Sequence, residues 1–547
     1  MTSTSKRWLY ALWLLLIASF AVLHAFNLSA DFPNHSPWMS DWAKYTDEGW
    51  YGNAAIRARL SGNWYLPGDF NPAVAVPVWQ FLEWILFFFT GVTVEAARGL
   101  AVAFFFVNLL LSYLLLRGRG PRWMALLALT FLVTSPFLYC FSRLAILEPL
   151  LTALILAALN IAVRVYRLRR PVLASALVGL LFTLMLLTKT NAIFFLPALG
   201  WALVLPLWPN IRLVARCSLT AAGAFVFTFG AWLALIVYDG LLKDFRYYFF
   251  VNQYPKPPEF YWPLSSFWWS FHGGLWMDHV LFPLAGVVAL AALLTWLSPW
   301  ASAAGSGMRG NEWGRNLIMD PVFGASLWII AGCIFFMTVQ NHPQPRYFAV
   351  AAVFCFYVVA QGAGELVVPT HLISDPRLPW HPSRLVGWAV LAPIALAMGV
   401  NGAWTLNFAA HPEYTFVNAA RRLAQYMDAH PNGKRLLVSI SGDELTLINH
   451  VPSICDDFGT QELAPKLAAY RPGWFATWND IDPGTLEDLH SHYSLEQVAV
   501  FRAFDHPERN MLVLFKLHPL APGQLRDPSV HNLQVPLGGD KIDIPIE

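Results

Sequence analysis

Two adjacent carboxylates, Asp47 and Glu48, lie in the run Tyr45-Thr46-Asp47-Glu48-Gly49-Trp50-Tyr51-Gly52-Asn53-Ala54-Ala55, with Gly62-Asn63-Trp64-Tyr65 and the Asn71-Pro72 turn close behind. Like charges in an aromatic, poorly hydrated setting repel, which moves their pKa values apart and suits one of them to accept a proton. The same pair is also a sound helix opening, because acidic side chains favour helix N-termini. Lys189 and Arg346 are cations at the ends of apolar runs. Arginine gives a phosphate two parallel donors and lysine a point charge, so both suit an anionic group at headgroup level; snorkelling to the membrane interface is their other use. Lys243, Arg246 and Lys256 are further cations that could face the same group. Glu148 follows Arg143 closely enough for an ion pair that merely fixes the turn between them. Trp262, Trp268, Trp269 and Trp276 read as an interfacial aromatic belt rather than a sugar platform.

The elements that must position these residues are membrane helices. Of the 547 residues, 56% are hydrophobic and 13% charged, and the mean hydropathy is +0.47, too apolar for a soluble chain of this size. The net charge of +2 implies no broad basic surface, so nucleic acid is not an expected partner. Windows of bilayer-spanning length predict an α-helical polytopic membrane protein with about 11 transmembrane helices. The first, Trp8 to Phe26, follows Lys6 and Arg7 and reads as an uncleaved span rather than a signal peptide. With the N-terminus inside, the inner loops hold Arg117, Arg119 and Arg122, then Arg164, Arg167, Arg169 and Arg170, then Arg212 and Arg216, then Arg309 and Arg315, then Arg377 and Arg384. That phase requires Val76 to Gly91 to be a juxtamembrane or re-entrant helix, since counting it as a span inverts everything downstream. The outer face then carries residues 27–75, the turn Ser142 to Pro149, Lys189, the loop Tyr238 to His279 and the segment Gln340 to Arg346.

The chain divides into a transmembrane domain, residues 1–403, and a soluble domain, residues 404–547, of α/β type on the outer side. Strand-like runs occur at Arg435 to Ser441, Trp474 to Trp478, Gln497 to Phe501 and Met511 to Lys516, alternating with helical stretches, which predicts a parallel or mixed sheet. Gly442-Asp443-Glu444 reads as a helix start. No dinucleotide fingerprint, phosphate-binding loop or triad spacing occurs in this tail. The five cysteines form no disulfide framework and no paired metal motif.

Taken in order, the acidic first loop, Val94-Glu95-Ala96-Ala97-Arg98-Gly99, Ser142-Arg143-Leu144-Ala145-Ile146-Leu147-Glu148-Pro149, Thr188-Lys189 and Gln344-Pro345-Arg346-Tyr347 resemble the membrane glycosyltransferases that use polyprenyl-phosphate sugars. These form the GT-C superfamily, which contains the protein O-mannosyltransferases and the lipid A aminoarabinose transferase. The resemblance covers most of the membrane part. It implies inverting transfer of a sugar from a polyprenyl-phosphate donor to a lipid, glycan or protein acceptor, at the outer face of a cytoplasmic (inner) membrane. It makes Asp47 the base that deprotonates the acceptor hydroxyl, with Glu48 shaping the pocket or bonding the sugar. Glu148 would face the first-loop carboxylate at a point where many relatives carry Asp. Tyr51, Arg143, Lys189, Arg346 and Tyr347 would bind substrate. No cofactor is required by this resemblance, though its aminoarabinose branch allows a divalent metal ion between Glu83 and His272. A transporter or lipid flippase is the rival class. It calls for charges near mid-membrane on broken helices, whereas these charges gather at outer helix ends. A membrane scaffold presenting the tail would depend on no carboxylate.

Overall fold

The computed structural model describes residues 3–252, 281–297, 310–339, 344–372, 382–506 and 508–520. The chain begins with α1 (Ser3–Leu23), then crosses a long loop into α2 (Asp47–Ser61), α3 (Pro77–Thr90) and α4 (Val94–Leu116). Next come α5 (Arg122–Thr134), α6 (Pro136–Ser142), α7 (Glu148–Ala162), α8 (Pro171–Leu186), α9 (Leu196–Val204), α10 (Ile211–Tyr238) and the short α11 (Leu242–Arg246). The second half of the bundle holds α12 (Leu281–Leu297), α13 (Gly310–Ile318), α14 (Pro321–Thr338), α15 (Ala349–Leu372) and α16 (Pro382–Ala410).

Local chemistry sets the ends of these helices. The Thr93 hydroxyl accepts from the Ala96 amide to open α4, and Asp320 accepts from the amides of Val322 and Phe323 to open α14. Proline at the first turn starts α3, α6, α7, α8 and α14, where its missing N–H costs nothing. The Ser135-Pro136 break turns α6 by 64° from α5.

Among the described residues, five helical segments are long and apolar enough to cross a membrane, or six if the bent α5–α6 pair is one span. Four shorter apolar helices accompany them, Arg7–Leu23, Glu148–Ala162, Pro171–Leu186 and Leu281–Leu297. The most apolar window of α10 is only 6% buried within the protein. A 28-residue helix with that much uncovered apolar surface has lipid as its solvent, and its length of about 42 Å exceeds a bilayer core. The chain is a multi-pass membrane protein. Helices α8 and α10 approach closely at Gly179, where a Cβ would lie 2.0 Å from the Ala221 carbonyl oxygen, the close packing that small residues allow in membranes. At the centre of the bundle Phe131, Leu156, Phe323, Phe356 and Tyr357 form one continuous core.

The tail is a second layer. It comprises α17 (Thr415–Ala429), β1 (Leu437–Val438), α18 (Gly442–Asn449), β2 (Ser453–Ile454), α19 (Leu463–Tyr470), β3 (Trp474–Thr477), α20 (Pro483–His490), β4 (Tyr493–Arg502) and β5 (Met511–Pro519). The sheet order is β2-β1-β3-β5-β4, with β1 parallel to β2 and β3, and β5 antiparallel to β3 and β4. The mixed sheet predicted from sequence is present. Its β2 strand was not foreseen, because two residues give no alternating pattern. The last bundle helix runs on to Ala410, so the fold changes character several residues after the boundary read at 403/404.

The tail is packed on residues 27–75 as well as on itself. Asp31 accepts from the Phe416 and Val417 amides at 2.8 and 3.1 Å, so a first-loop carboxylate caps the opening of α17. Tyr45 packs edge-on to Trp478 inside the tail's own core.

Candidate active site

Helix α2 presents the acidic pair, and its geometry separates them. Consecutive helical residues point about 100° apart, so Asp47 and Glu48 face different surroundings. Asp47 lines a cavity of about 130 Å³ together with Trp42, Trp50, Tyr51, Lys189, Arg346, Tyr347 and Phe458. Glu48 is not on that wall. Its two oxygens take the Arg98 guanidinium at 2.6 and 2.7 Å, and one also accepts from the Ala145 amide at 2.8 Å. Arg98 in turn donates to the Leu28 and Ala30 carbonyls, so Glu48 ties α2 to α4 and to the turn before α7.

Arg346 lies between two carboxylates. Its Nη1 reaches Asp41 Oδ1 at 2.5 Å, its Nη2 reaches Asp47 Oδ2 at 2.7 Å, and its backbone amide donates to Asp41 Oδ2 at 2.9 Å. Trp42 and Gln344 are stitched beside this pair by a 3.1 Å hydrogen bond. The Asp47 side chain is 1% exposed. Burial pushes its carboxyl above the usual range, Asp41 and Glu148 add to that, and Arg346 and Lys189 oppose it. Burial also pushes the Tyr51 phenol well up, which keeps it a neutral hydrogen-bonding group.

Glu148 opens α7 and pairs with Lys189 rather than with Arg143. Lys189 also lies over the Tyr347 ring, 4.7 Å from its centroid, and Arg346 lies 4.9 Å from the same ring. Arg143 is turned away from the cavity: it donates to the Tyr139 hydroxyl at 2.6 Å and to the Phe26 and Asn27 carbonyls at 2.5 and 2.7 Å. The Arg143–Glu148 pair is thereby replaced by a backbone anchor on one side and a lysine pair on the other. Lys243 is exposed and donates to the Thr460 carbonyl, and Arg246 is exposed as well. Lys256 and Trp262, Trp268, Trp269 and Trp276 lie outside the described residues.

Glu83 sits on α3 beneath α2, fully buried, with its Oε2 so close to Gly52 that a Cβ there would lie 2.5 Å away. His272 lies outside the described residues, so the metal pair has no geometry to test. Among the described residues no group of three or more His, Cys, Asp or Glu is arranged to hold a metal ion. The five cysteines are buried and form no disulfide.

The sequence suggests that the tail covers the acceptor side, but it does not identify the tail residues that reach α2. At the start of α18, Glu444 accepts from the Gly49 amide at 2.8 Å, and Asp443 accepts from Asn53 at 3.1 Å and from Arg57 at 3.1 Å. Arg57 also pairs with Asp69 at 2.8 Å, and the Trp50 indole donates to the Ile440 carbonyl at 3.1 Å. Gly49 is the contact point: a Cβ there would lie 2.1 Å from the Glu444 nitrogen and 2.2 Å from the Asp443 carbonyl carbon. Burial raises the Asp443 carboxyl to about 6, with Arg57 opposing. Phe458, also from the tail, stands edge-on to Trp50 and closes one side of the cavity. The acidic residues after β1 do open a helix, as the sequence indicates; that they also hold α2 depends on a contact across almost 400 residues, for which no local signal exists.

No protein-family model matches the chain, and no curated protein matches it in sequence. Solved structures do match in fold. The ArnT structure from Cupriavidus metallidurans bound to undecaprenyl phosphate aligns with a TM-score of 0.56 at 14% identity, covering 92% of this chain and 98% of that one. Its apo form aligns with a TM-score of 0.55 at 15% identity, covering 93% and 98%. The archaeal oligosaccharyltransferase AglB from Archaeoglobus fulgidus, in complex with an inhibitory peptide and a dolichol-phosphate, aligns with a TM-score of 0.53 at 12% identity, covering 91% and 74%. These neighbours are GT-C glycosyltransferases, and at such identity the likeness is one of fold.

Proposed function

We propose that the chain transfers a sugar from a polyprenyl-phosphate donor to an acceptor hydroxyl, with inversion at the anomeric carbon, at the outer face of a cytoplasmic membrane. The observation that carries this reading is the convergence of Asp47, Arg346 and Lys189 with Tyr51 and Tyr347 on one cavity, at the ends of apolar helices. The fold likeness to proteins seen with undecaprenyl phosphate and a dolichol-phosphate supports the donor class.

In this reaction the acceptor oxygen forms a bond to the anomeric carbon while the bond from that carbon to the phosphate oxygen breaks. The bonding pair leaves with the polyprenyl phosphate, and Asp47 takes the acceptor proton. A phosphate monoester leaves without needing a proton, so the acid demand falls on charge stabilisation alone. Lys189 is the better candidate for that, since Glu148 holds only one end of a three-donor ammonium. Arg346, with both Nη groups on carboxylates, positions Asp47 and favours its ionised form against the effect of burial. Glu48 and Arg98 position α2. Asp443 and Glu444 clamp the same helix, and the tail's Phe458 bounds the cavity.

The test is reconstitution of the full chain in lipid vesicles with a panel of labelled polyprenyl-phosphate sugars, reading release of unglycosylated polyprenyl phosphate together with label in an acceptor fraction. Matched release and transfer from one donor is the expected result. Label crossing the bilayer with the lipid-linked sugar intact would replace this reading with a flippase.

A further inference from the structure

The opposite end of the bundle holds a second cleft, about 460 Å³ in volume, whose chemistry differs from that of the candidate active site. Helix α4 runs from Arg98, beside Glu48, to Leu116, about 27 Å along its axis, and Arg117 follows. Helix α7 likewise starts at Glu148 and ends before Arg164. Two loops therefore bring Arg117, Arg119, Arg164 and Arg167 into one cleft, floored by Leu205, Pro206 and Pro321.

Asp320 is the acid on this wall, and it is already engaged. Its Oδ2 holds Arg119 at 2.8 Å, and its Oδ1 accepts from the Val322 and Phe323 amides at 2.8 and 3.0 Å and from Gln361 at 3.2 Å. Among the described residues that line the cleft, four guanidiniums stand against one carboxylate, so the lining is strongly positive. Arg164 is held by neutral acceptors, the Asn160 carbonyl at 3.0 Å, the Asn160 side chain at 2.8 Å and the Leu114 carbonyl, which aim the group without cancelling its charge. Arg167 meets the Tyr166 hydroxyl, another neutral partner. Burial first, then repulsion from Arg119, Arg117 and Arg167, push the Arg164 pKa below its usual value.

A general excess of arginine in inner loops explains charge at this level, but not its convergence on a shared cleft. Arg212 and Arg216 serve the first role without lining this cleft. Planar guanidiniums crowded without enough carboxylates match the oxygens of a phosphate group. Basic pockets between membrane helices are a known way to hold anionic headgroups.

We propose that the cleft formed by Arg117, Arg119, Arg164 and Arg167 binds an anionic phosphate group, that of a phospholipid headgroup or of a soluble phosphate. The site stands apart from the catalytic reading and does not depend on it.

The experiment is native mass spectrometry of the full chain in neutral detergent, titrated with cardiolipin and, separately, with phosphatidylcholine. The variant Arg117→Gln/Arg167→Gln removes two exposed cleft charges, and Arg212→Gln/Arg216→Gln removes two from the same face outside it. Arg164→Gln provides a third point inside the cleft. Cardiolipin adducts in preference to phosphatidylcholine, weakened about tenfold or more in the first variant and less than about twofold in the second, are expected. Displacement of cardiolipin by millimolar inorganic phosphate would identify the soluble source of the same chemistry; persistence of the adduct would identify the lipid. Equal weakening in both double variants, or no preference for cardiolipin, would overturn the proposal.

Discussion

Asp47 gains its chemical use from its surroundings more than from its type. Buried, and raised by desolvation and by Asp41, it binds a proton more readily than a surface aspartate, while Arg346 keeps the ionised form accessible. A base must be deprotonated to act, so activity should be lost as pH falls through its raised pKa. A pH profile of kcat/KM on the reconstituted protein should therefore have an acid limb above the ordinary aspartate value of about 3.9. A limb at or below that value would remove Asp47 from the role. Of the residues singled out from the sequence, Asp47, Tyr51, Lys189, Arg346 and Tyr347 line one cavity, several of them at helix ends where residue type and position are locally legible. Residue type alone does not separate Asp47 from Glu48; the resemblance assigns them different roles, and the phase of α2 sends one to the cavity and the other to Arg98. Asp41 was invisible for a related reason, since its partner lies 305 residues away.

Helix α2 carries Asp47 and is gripped on three sides. Arg98 holds Glu48, Arg346 holds Asp47, and α18 sits against Gly49. The Gly49 contact leaves no room for a methyl group, because the atoms it would meet are backbone. Gly49→Ala should cost about 1–3 kcal/mol through forced backbone displacement. The expected readout is a lower melting temperature and faster proteolysis between α16 and α17, with reduced transfer. Unchanged melting and unchanged transfer would mean that the tail does not hold α2. Sequence patterns found most strands of the tail and the short helix α3, since periodicity and length are local properties. The docking of the tail on residues 27–75 is a surface match between distant segments, and composition carries no trace of it.

The whole molecule places its cavity and its arginine cleft at opposite ends of a membrane bundle. Because all five native cysteines are buried, single introduced cysteines report on sidedness against a low background. Ser61→Cys and Arg169→Cys, at exposed positions near the two ends, should react with an impermeant maleimide from opposite sides of intact vesicles. Labelling of both from one side would contradict the topology read from loop charges. In the sequence this organisation is expressed by apolar length and arginine placement, both of which follow from the bilayer. The number of spans is less legible, because helices such as Glu148–Ala162 and Pro171–Leu186 are shorter than a bilayer core and are flanked by turns that carry the cavity residues Leu147 and Lys189.

The most direct test of the central claim compares the parent chain with Asp47→Asn, reconstituted in lipid, for sugar transfer from a polyprenyl-phosphate donor and, in parallel, for donor binding. Transfer should fall by about 10²–10⁴ while donor binding persists, the signature of a lost base. Transfer at the parental rate in the asparagine variant would contradict it.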